Sequence, residues 1–364
     1  MKKFKLISII LVFCLIIGGS SLCLAFKEGS EISEWERRKL QQFPNISWES
    51  VTKGDFMDDF VSYLSDQFPL RNELRRLKAQ IHFKLYRQKD NGGIYISDGS
   101  ASKIDAKINE GSLKHFLSRI ENVYSTYLNG TDCKVYYSII PDKNYFLAES
   151  GGYPSLNYEE LYRVLKENLS YMSEIEIKQL LKAEDYYTTD THWKQEKIVA
   201  VANEIRQKMG LSAVTDYTEK TMGDFYGVYY GQSALPLSPD TINYLTNEEI
   251  EACTVTNFEK NIVGKVYNEN DYENLDFYDF FLFGAVPVLE INNPMGEKDK
   301  ELVLFRDSFS SSLTPLLLSS YSKITLIDIR YIAPELISDY VEFDNQDVLF
   351  IYSTLLVNSS STLK

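Results

Sequence analysis

The sequence predicts an α/β fold: a three-layer domain around a mainly parallel sheet, behind an N-terminal apolar helix and a helical stalk. Two observations carry that expectation. Late in the chain, KELVLFRDSF (300–309), KITLIDIRYI (323–332) and DVLFIYSTLLV (347–357) are continuous apolar runs, as expected of strands covered on both faces. Elsewhere the hydrophobic period becomes helical. Strand–helix–strand order, with about 15–20 residues between runs, is that of a parallel sheet flanked by helices.

Taken in order, the chain opens with Lys2, Lys3 and Lys5, then an apolar or small-residue run from Leu6 to Phe26. About 20 such residues cross a bilayer as a helix, so residues 1–26 read as a membrane anchor or signal segment. Cys23-Leu24-Ala25 is a weak cleavage site, and an uncleaved anchor is the reading preferred. Leu22 stands before Cys23 where a lipidation motif requires a small residue. The basic flank lies N-terminal, which places everything after Phe26 outside. A cleaved segment makes the rest a secreted protein.

Residues 27–90 read as a polar stalk, ending near Pro44, followed by amphipathic helices. Phe56, Phe60, Tyr63 and Leu64 recur at helical spacing, as do Leu70, Leu74, Leu77, Ile81 and Leu85. The two helices meet at Gln67-Phe68-Pro69. Residues 91–364 make the α/β domain. DNGGIYISDGS (90–100) is a turn, a short strand and a turn. SLKHFLSRIENVYSTYL (112–128) is helical, CKVYYSIIPD (133–142) is a strand stopped by Pro141, and YEELYRVLKENLSYM (158–172) is helical. Residues 193–209 form another helix, closed by Gly210. The stretch from about 211 to 300 is rich in Asn, Tyr and acids and reads as an irregular insertion.

Composition excludes some classes. A formal net charge of -14 gains nothing on phosphate, so neither nucleic acid nor a bare anionic membrane surface is expected as a partner. The 26 Tyr and 20 Phe are read as packing rather than a sugar-lined groove. Cys14 and Cys23 fall in the apolar segment, leaving Cys133 and Cys253 either as a disulfide that export permits or as two separate thiols. His82, His115 and His192 are scattered and there is no Cys cluster, so no metal site is expected.

Active sites in such sheets gather beyond the C-terminal strand ends. There, RDS (306–308) follows an apolar strand, PDK (141–143) follows an earlier one, and DTHW (190–193) precedes a helix. Ser308 leaves the strand ladder with free amides around it, suited to a nucleophile beside an oxyanion site. The plain reading is that Ser308 or Ser310 caps a helix. A serine hydroxyl needs an imidazole to accept its proton, and that imidazole needs an orienting group. Asp190, two residues before His192, can supply it if both lie in a loop. Otherwise Asp190 or Thr191 is a helix cap.

In combination, DTHWK, RDSF and IIPDKNYF resemble the DHHW family and its relatives, the alginate O-acetyltransferase-like, permuted branch of the SGNH hydrolases. SEWERRKLQQFP and YLSDQFPLRNEL upstream, and IDIRY near the end, are similar to that family's segments as well. The resemblance implies an SGNH-hydrolase-like domain with Ser308 as nucleophile, His192 as general base and Asp190 as its orienter. Relatives carry Gly or Gly-Thr where this chain has Arg306-Asp307. Gly227 is a candidate oxyanion donor beside the Ser308 amide, or a plain turn glycine. Lys143, Arg330, Tyr331 and Trp193 are candidate substrate contacts, two for an anionic group and two for stacking on sugar rings. Structural ion pairs and core packing are the rival assignments.

The expected function is an exported, serine-dependent O-acyl transferase or esterase, most simply handling acetyl groups on a cell-envelope or secreted polysaccharide, with no cofactor. The family resemblance adds a separate membrane acyl-transfer protein as a partner that supplies acetyl. A catalytically silent glycan-binding or envelope-assembly scaffold of the same fold is the rival reading.

Overall fold

The computed structural model describes residues 2–26, 29–33, 35–267 and 277–364. The chain forms two compact units: Met1–Gly92 with Tyr230–Pro236, and Gly93–Tyr229 with Leu237–Lys364.

In the first unit, helix α1 (Lys2–Phe26) contains a stretch, Phe4–Leu24, of 21 residues and mean hydropathy 2.6. It is long and apolar enough to cross a bilayer. The segment expected as a polar stalk holds a short antiparallel pair, Ile32–Ser33 with Arg38–Lys39. Arg38 reaches both oxygens of Asp66, at 2.9 and 2.6 Å. Ser47 caps α2 (Trp48–Lys53) by accepting from the Ser50 amide. Next come α3 (Asp55–Gln67) and α4 (Arg71–Gln80). Pro69 cannot extend α3, because it lacks the amide hydrogen, and Leu70 takes the left-handed turn at φ 56.

The second unit is built on an eight-stranded sheet. In chain order its strands are β1 (Lys134–Ile140), β2 (Ser173–Glu174), β3 (Thr254–Asn257), β4 (Ile262–Gly264), β5 (Val288–Asn292), β6 (Glu297–Arg306), β7 (Tyr321–Ile327) and β8 (Asp347–Ser353). Their spatial order is β4-β3-β5-β7-β6-β8-β1-β2. From β7 to β2 every pair is parallel. From β4 to β7 the pairs are antiparallel.

The continuous apolar runs explain the layers. Leu302 and Leu304 of β6 join one core while Val303 and Phe305 join the other, and β8 divides in the same way between Leu349, Ile351 and Val348, Phe350. Helices α5 (Glu110–Val123) and α6 (Tyr158–Asn168) contribute Phe116, Ile120, Leu161 and Leu165 to the second core. Helix α7 (Val199–Lys208) contributes Val201 and Ile205 to the first.

Two expectations change. The helix expected from residue 193 begins only at Val199, after a 3-10 turn at Gln195–Lys197. The reason is local: Tyr187 and Lys194 pair their amides with the His192 and Asp185 carbonyls, which holds 185–194 as a tight loop. The stretch from 211 to 300, expected as irregular, is largely regular where it is described. It holds an antiparallel hairpin (Thr218–Phe225 with Asp240–Thr246) and the three strands that extend the main sheet. Part of it, 268–276, lies outside the described residues.

Candidate active site

Three parallel neighbours, β6, β8 and β1, end together, and the chain leaving β6 makes the centre of the site. Asp307 is buried and bridges two strand exits, accepting from the Ser353 amide at 2.7 Å and the Phe309 amide at 3.0 Å. The turn so fixed presents Ser308, the one partly exposed residue between Leu302 and Leu318. The Ser308 amide donates no hydrogen bond among the described residues.

The second component is the 187–192 loop, clamped from two sides. The buried Asp240 carboxylate accepts from the Thr188 and Thr189 amides, both at 2.7 Å, and from the Thr189 hydroxyl at 2.6 Å. The Gly227 amide donates to Thr189 Oγ1 at 2.8 Å, and the Val228 amide to Asp190 Oδ2 at 2.8 Å. Gly227 sits so close that a Cβ there would fall 2.3 Å from the Asp190 Cβ. This corrects the expectation of an oxyanion donor: the Gly227 amide is already engaged, and the glycine serves close packing against Asp190.

These two segments, 116 residues apart in sequence, bring Asp190, His192 and Ser308 together. The fully buried Asp190 places Oδ1 2.6 Å from His192 Nδ1 and 3.1 Å from the His192 amide. An ionised carboxylate only accepts, so Nδ1 carries the hydrogen and Nε2 is left as an acceptor. The Ser308 hydroxyl donates to it at 2.8 Å. The imidazole is held between two rings, stacked on Tyr278 (3.9 Å between centroids, 7° between planes) and tilted against Phe309 (4.9 Å). Tyr278 shares its hydroxyl with Ser312 Oγ at 2.7 Å.

The other candidates separate. Trp193 is completely buried, with its indole N–H on the Phe309 carbonyl and Ser312 Oγ, both at 3.0 Å. It is a core residue beneath the serine turn, not a sugar-stacking one. Lys143 is also buried, 1% exposed, donating to the Tyr187 carbonyl at 2.7 Å and the Thr188 carbonyl at 3.3 Å. It braces the histidine loop and presents no charge to a ligand, again contrary to expectation. Burial pushes its ammonium down to about 7. Arg330 is bound to Asp328 through two nitrogens, at 2.9 and 2.5 Å. Tyr331 is 45% exposed beside it. Cys133 and Cys253 are free thiols. Sequence reasoning missed Tyr278, Asp240 and the bridging role of Asp307. The first two lie in the unread insertion, and for neither is there a local signal.

The layers and this cluster define a three-layer α/β domain with a mainly parallel sheet and a Ser–His–Asp hydrogen-bond chain at its strand exits. The resemblance to the DHHW family holds: a family model described as DHHW protein matches residues 152–327. No curated protein sequence matches the chain. Among solved structures, a DHHW family protein from Eubacterium siraeum is similar at TM-score 0.58 and 20% identity, covering 74% of this chain and 93% of its own. PatB1 of Bacillus cereus, solved with a sulfonyl adduct, is similar at TM-score 0.58 and 18% identity, covering 72% and 95%. The O-acetyltransferase domain of Pseudomonas putida AlgJ aligns more loosely, at TM-score 0.45 and 11% identity over 73% and 92%. At such identities the first two likenesses speak to the fold alone.

Proposed function

We propose that this protein is a serine-dependent O-acyl transferase or esterase that works through an acyl-serine. The observation that carries the reading is the unbroken hydrogen-bond chain from the Ser308 hydroxyl through the His192 ring to Asp190. Ser308 Oγ attacks the ester carbonyl while His192 Nε2 takes its proton. Asp190 holds the ring in the required tautomer and stabilises the imidazolium. The Ser308 amide donates to the developing oxyanion. Collapse breaks the ester C–O bond, and the departing alkoxide takes the proton back from Nε2. A sugar hydroxyl or water, deprotonated by His192, then attacks the acyl-serine. This gives a new ester or a free acid and restores Ser308.

An acetyl group on a cell-envelope or secreted polysaccharide is the substrate this reading favours, with Arg330 and Tyr331 as candidate contacts for it. The Phe4–Leu24 helix serves as the anchor, the remainder lying on the extracellular side. A separate membrane acyl-transfer protein is the proposed source of acetyl. The test is hydrolysis of p-nitrophenyl acetate by the purified chain, with and without added sugar acceptors. Loss of release in Ser308→Ala supports the mechanism. Equal release by Ser308→Ala overturns it and leaves the silent glycan-binding scaffold.

A further inference from the structure

The charge of this chain is unevenly placed. Seven Lys/Arg and one Glu lie between Leu70 and Lys89, whereas the rest has 31 Lys/Arg against 51 Asp/Glu. Helix α4 runs through this basic stretch and continues as a π-helix over Ile81–Leu85. Its inner side is engaged. Ala79 is buried, Arg75 donates to the Gly231 carbonyl at 3.0 Å, and Arg76 lies 3.9 Å over the Trp35 ring. Arg71 and Arg75 pair with Glu36.

The outer side differs. Leu70, Leu74, Leu77, Ile81 and Leu85 are 70, 46, 54, 38 and 71% exposed. At about 100° per residue, α4 and its continuation line Leu74, Leu77 and Ile81 into one row with Lys78 on one flank, and Leu70 precedes the row in its left-handed turn. Lys84 follows three residues after Ile81, and both lysines are exposed.

We propose that this face docks on an anionic bilayer surface, independently of the enzymatic reading. The apolar row enters the headgroup–acyl boundary, and Lys78 and Lys84 extend their stems along it to place ammonium groups among the lipid phosphates. Charge complementarity selects this occupant. The segment is positive in a protein that is otherwise negative, and a second copy of the same helix would set lysine against lysine with only Glu73 to offset it. The chain also carries, in Phe4–Leu24, a helix able to hold it at a bilayer.

The full chain carrying Leu77→Trp, reconstituted into vesicles containing brominated lipids, tests this; the unsubstituted chain gives the baseline for the native tryptophans. The expected result is bromine quenching of the added tryptophan in vesicles with about 30% phosphatidylglycerol, and little in pure phosphatidylcholine. Each basic side chain near an anionic surface strengthens attachment about fivefold, so Lys78→Glu with Lys84→Glu should weaken docking at least about 25-fold. Ile81→Trp should read the same way if Leu77→Trp folds poorly. Absence of quenching in phosphatidylglycerol vesicles would overturn the proposal, as would equal quenching in both lipids. Disulfide cross-linking between copies through Leu77→Cys, with the row shielded from bromines, would give the face to a second copy instead.

Discussion

Asp190→Asn is the perturbation whose outcome the geometry determines most closely. The carboxylate accepts on both oxygens: Oδ1 from the His192 ring and amide, Oδ2 from the Val228 amide. An asparagine can place its single carbonyl oxygen on only one side. If the oxygen faces Val228, the NH₂ group points at His192 Nδ1, the ring turns to the Nε2–H tautomer, and it can no longer accept the Ser308 proton. If the oxygen faces His192, the NH₂ group opposes the Val228 N–H, and a buried donor goes unsatisfied at about 1–3 kcal/mol. The first arrangement should lower turnover by about 10⁴, the scale found when the orienting carboxylate of a serine triad is neutralised. The assay is steady-state p-nitrophenyl acetate hydrolysis, with thermal melting to confirm that the variant is folded. A folded Asp190→Asn protein within tenfold of the parent would refute the orienting role.

Other perturbations follow from neighbouring contacts. Gly227→Ala inserts a methyl group against the Asp190 backbone, so it should lower turnover by about 10²-fold or more through displacement of a catalytic group, read in the same assay. Lys143 has a folded-state value of about 7 against an ordinary 10.5. Between those pH values the unfolded chain binds more protons, so stability rises with pH, by up to about 1.4 kcal/mol per pH unit. Chemical denaturation at pH 8 and 9.5 should reveal that rise in the parent and its loss in Lys143→Met. Trp193→Phe removes an indole N–H shared by two buried acceptors. It should cost about 1–3 kcal/mol of stability by denaturant titration while leaving KM for an acyl ester within a few-fold.

Legibility followed the length of the physical signal. Strands β6, β7 and β8 were readable because burial on both faces leaves consecutive apolar residues, LVLF in β6 and VLFIY in β8, and an Ile- and Leu-rich YSKITLI in β7. Helices α3 and α4 were readable from one apolar face and a proline between them. By contrast, β3 and β4 are four and three residues long, TVTN and IVG, too short and mixed for a period to emerge. The candidate site divides in the same way. His192, Asp190 and Ser308 stand at strand exits and loop starts where chemistry-bearing residue types are conspicuous. Tyr278 reaches the imidazole only through tertiary packing, and nothing in FYDF distinguishes it from other tyrosines. Lys143 and Trp193 were placed near the right loops but facing the wrong way, because sequence position does not reveal whether a side chain points inward.

The most direct test of the central claim is covalent trapping. Phenylmethylsulfonyl fluoride reacts with a serine hydroxyl whose proton is being withdrawn, and the tryptic peptide Asp307–Lys323 contains Ser308 beside Ser310, Ser311 and Ser312. Fragment-ion mass spectrometry of that peptide should find one sulfonyl group, on Ser308, and none in His192→Ala. A label on a neighbouring serine, or equal labelling of Ser308 without the imidazole, would contradict the proton relay.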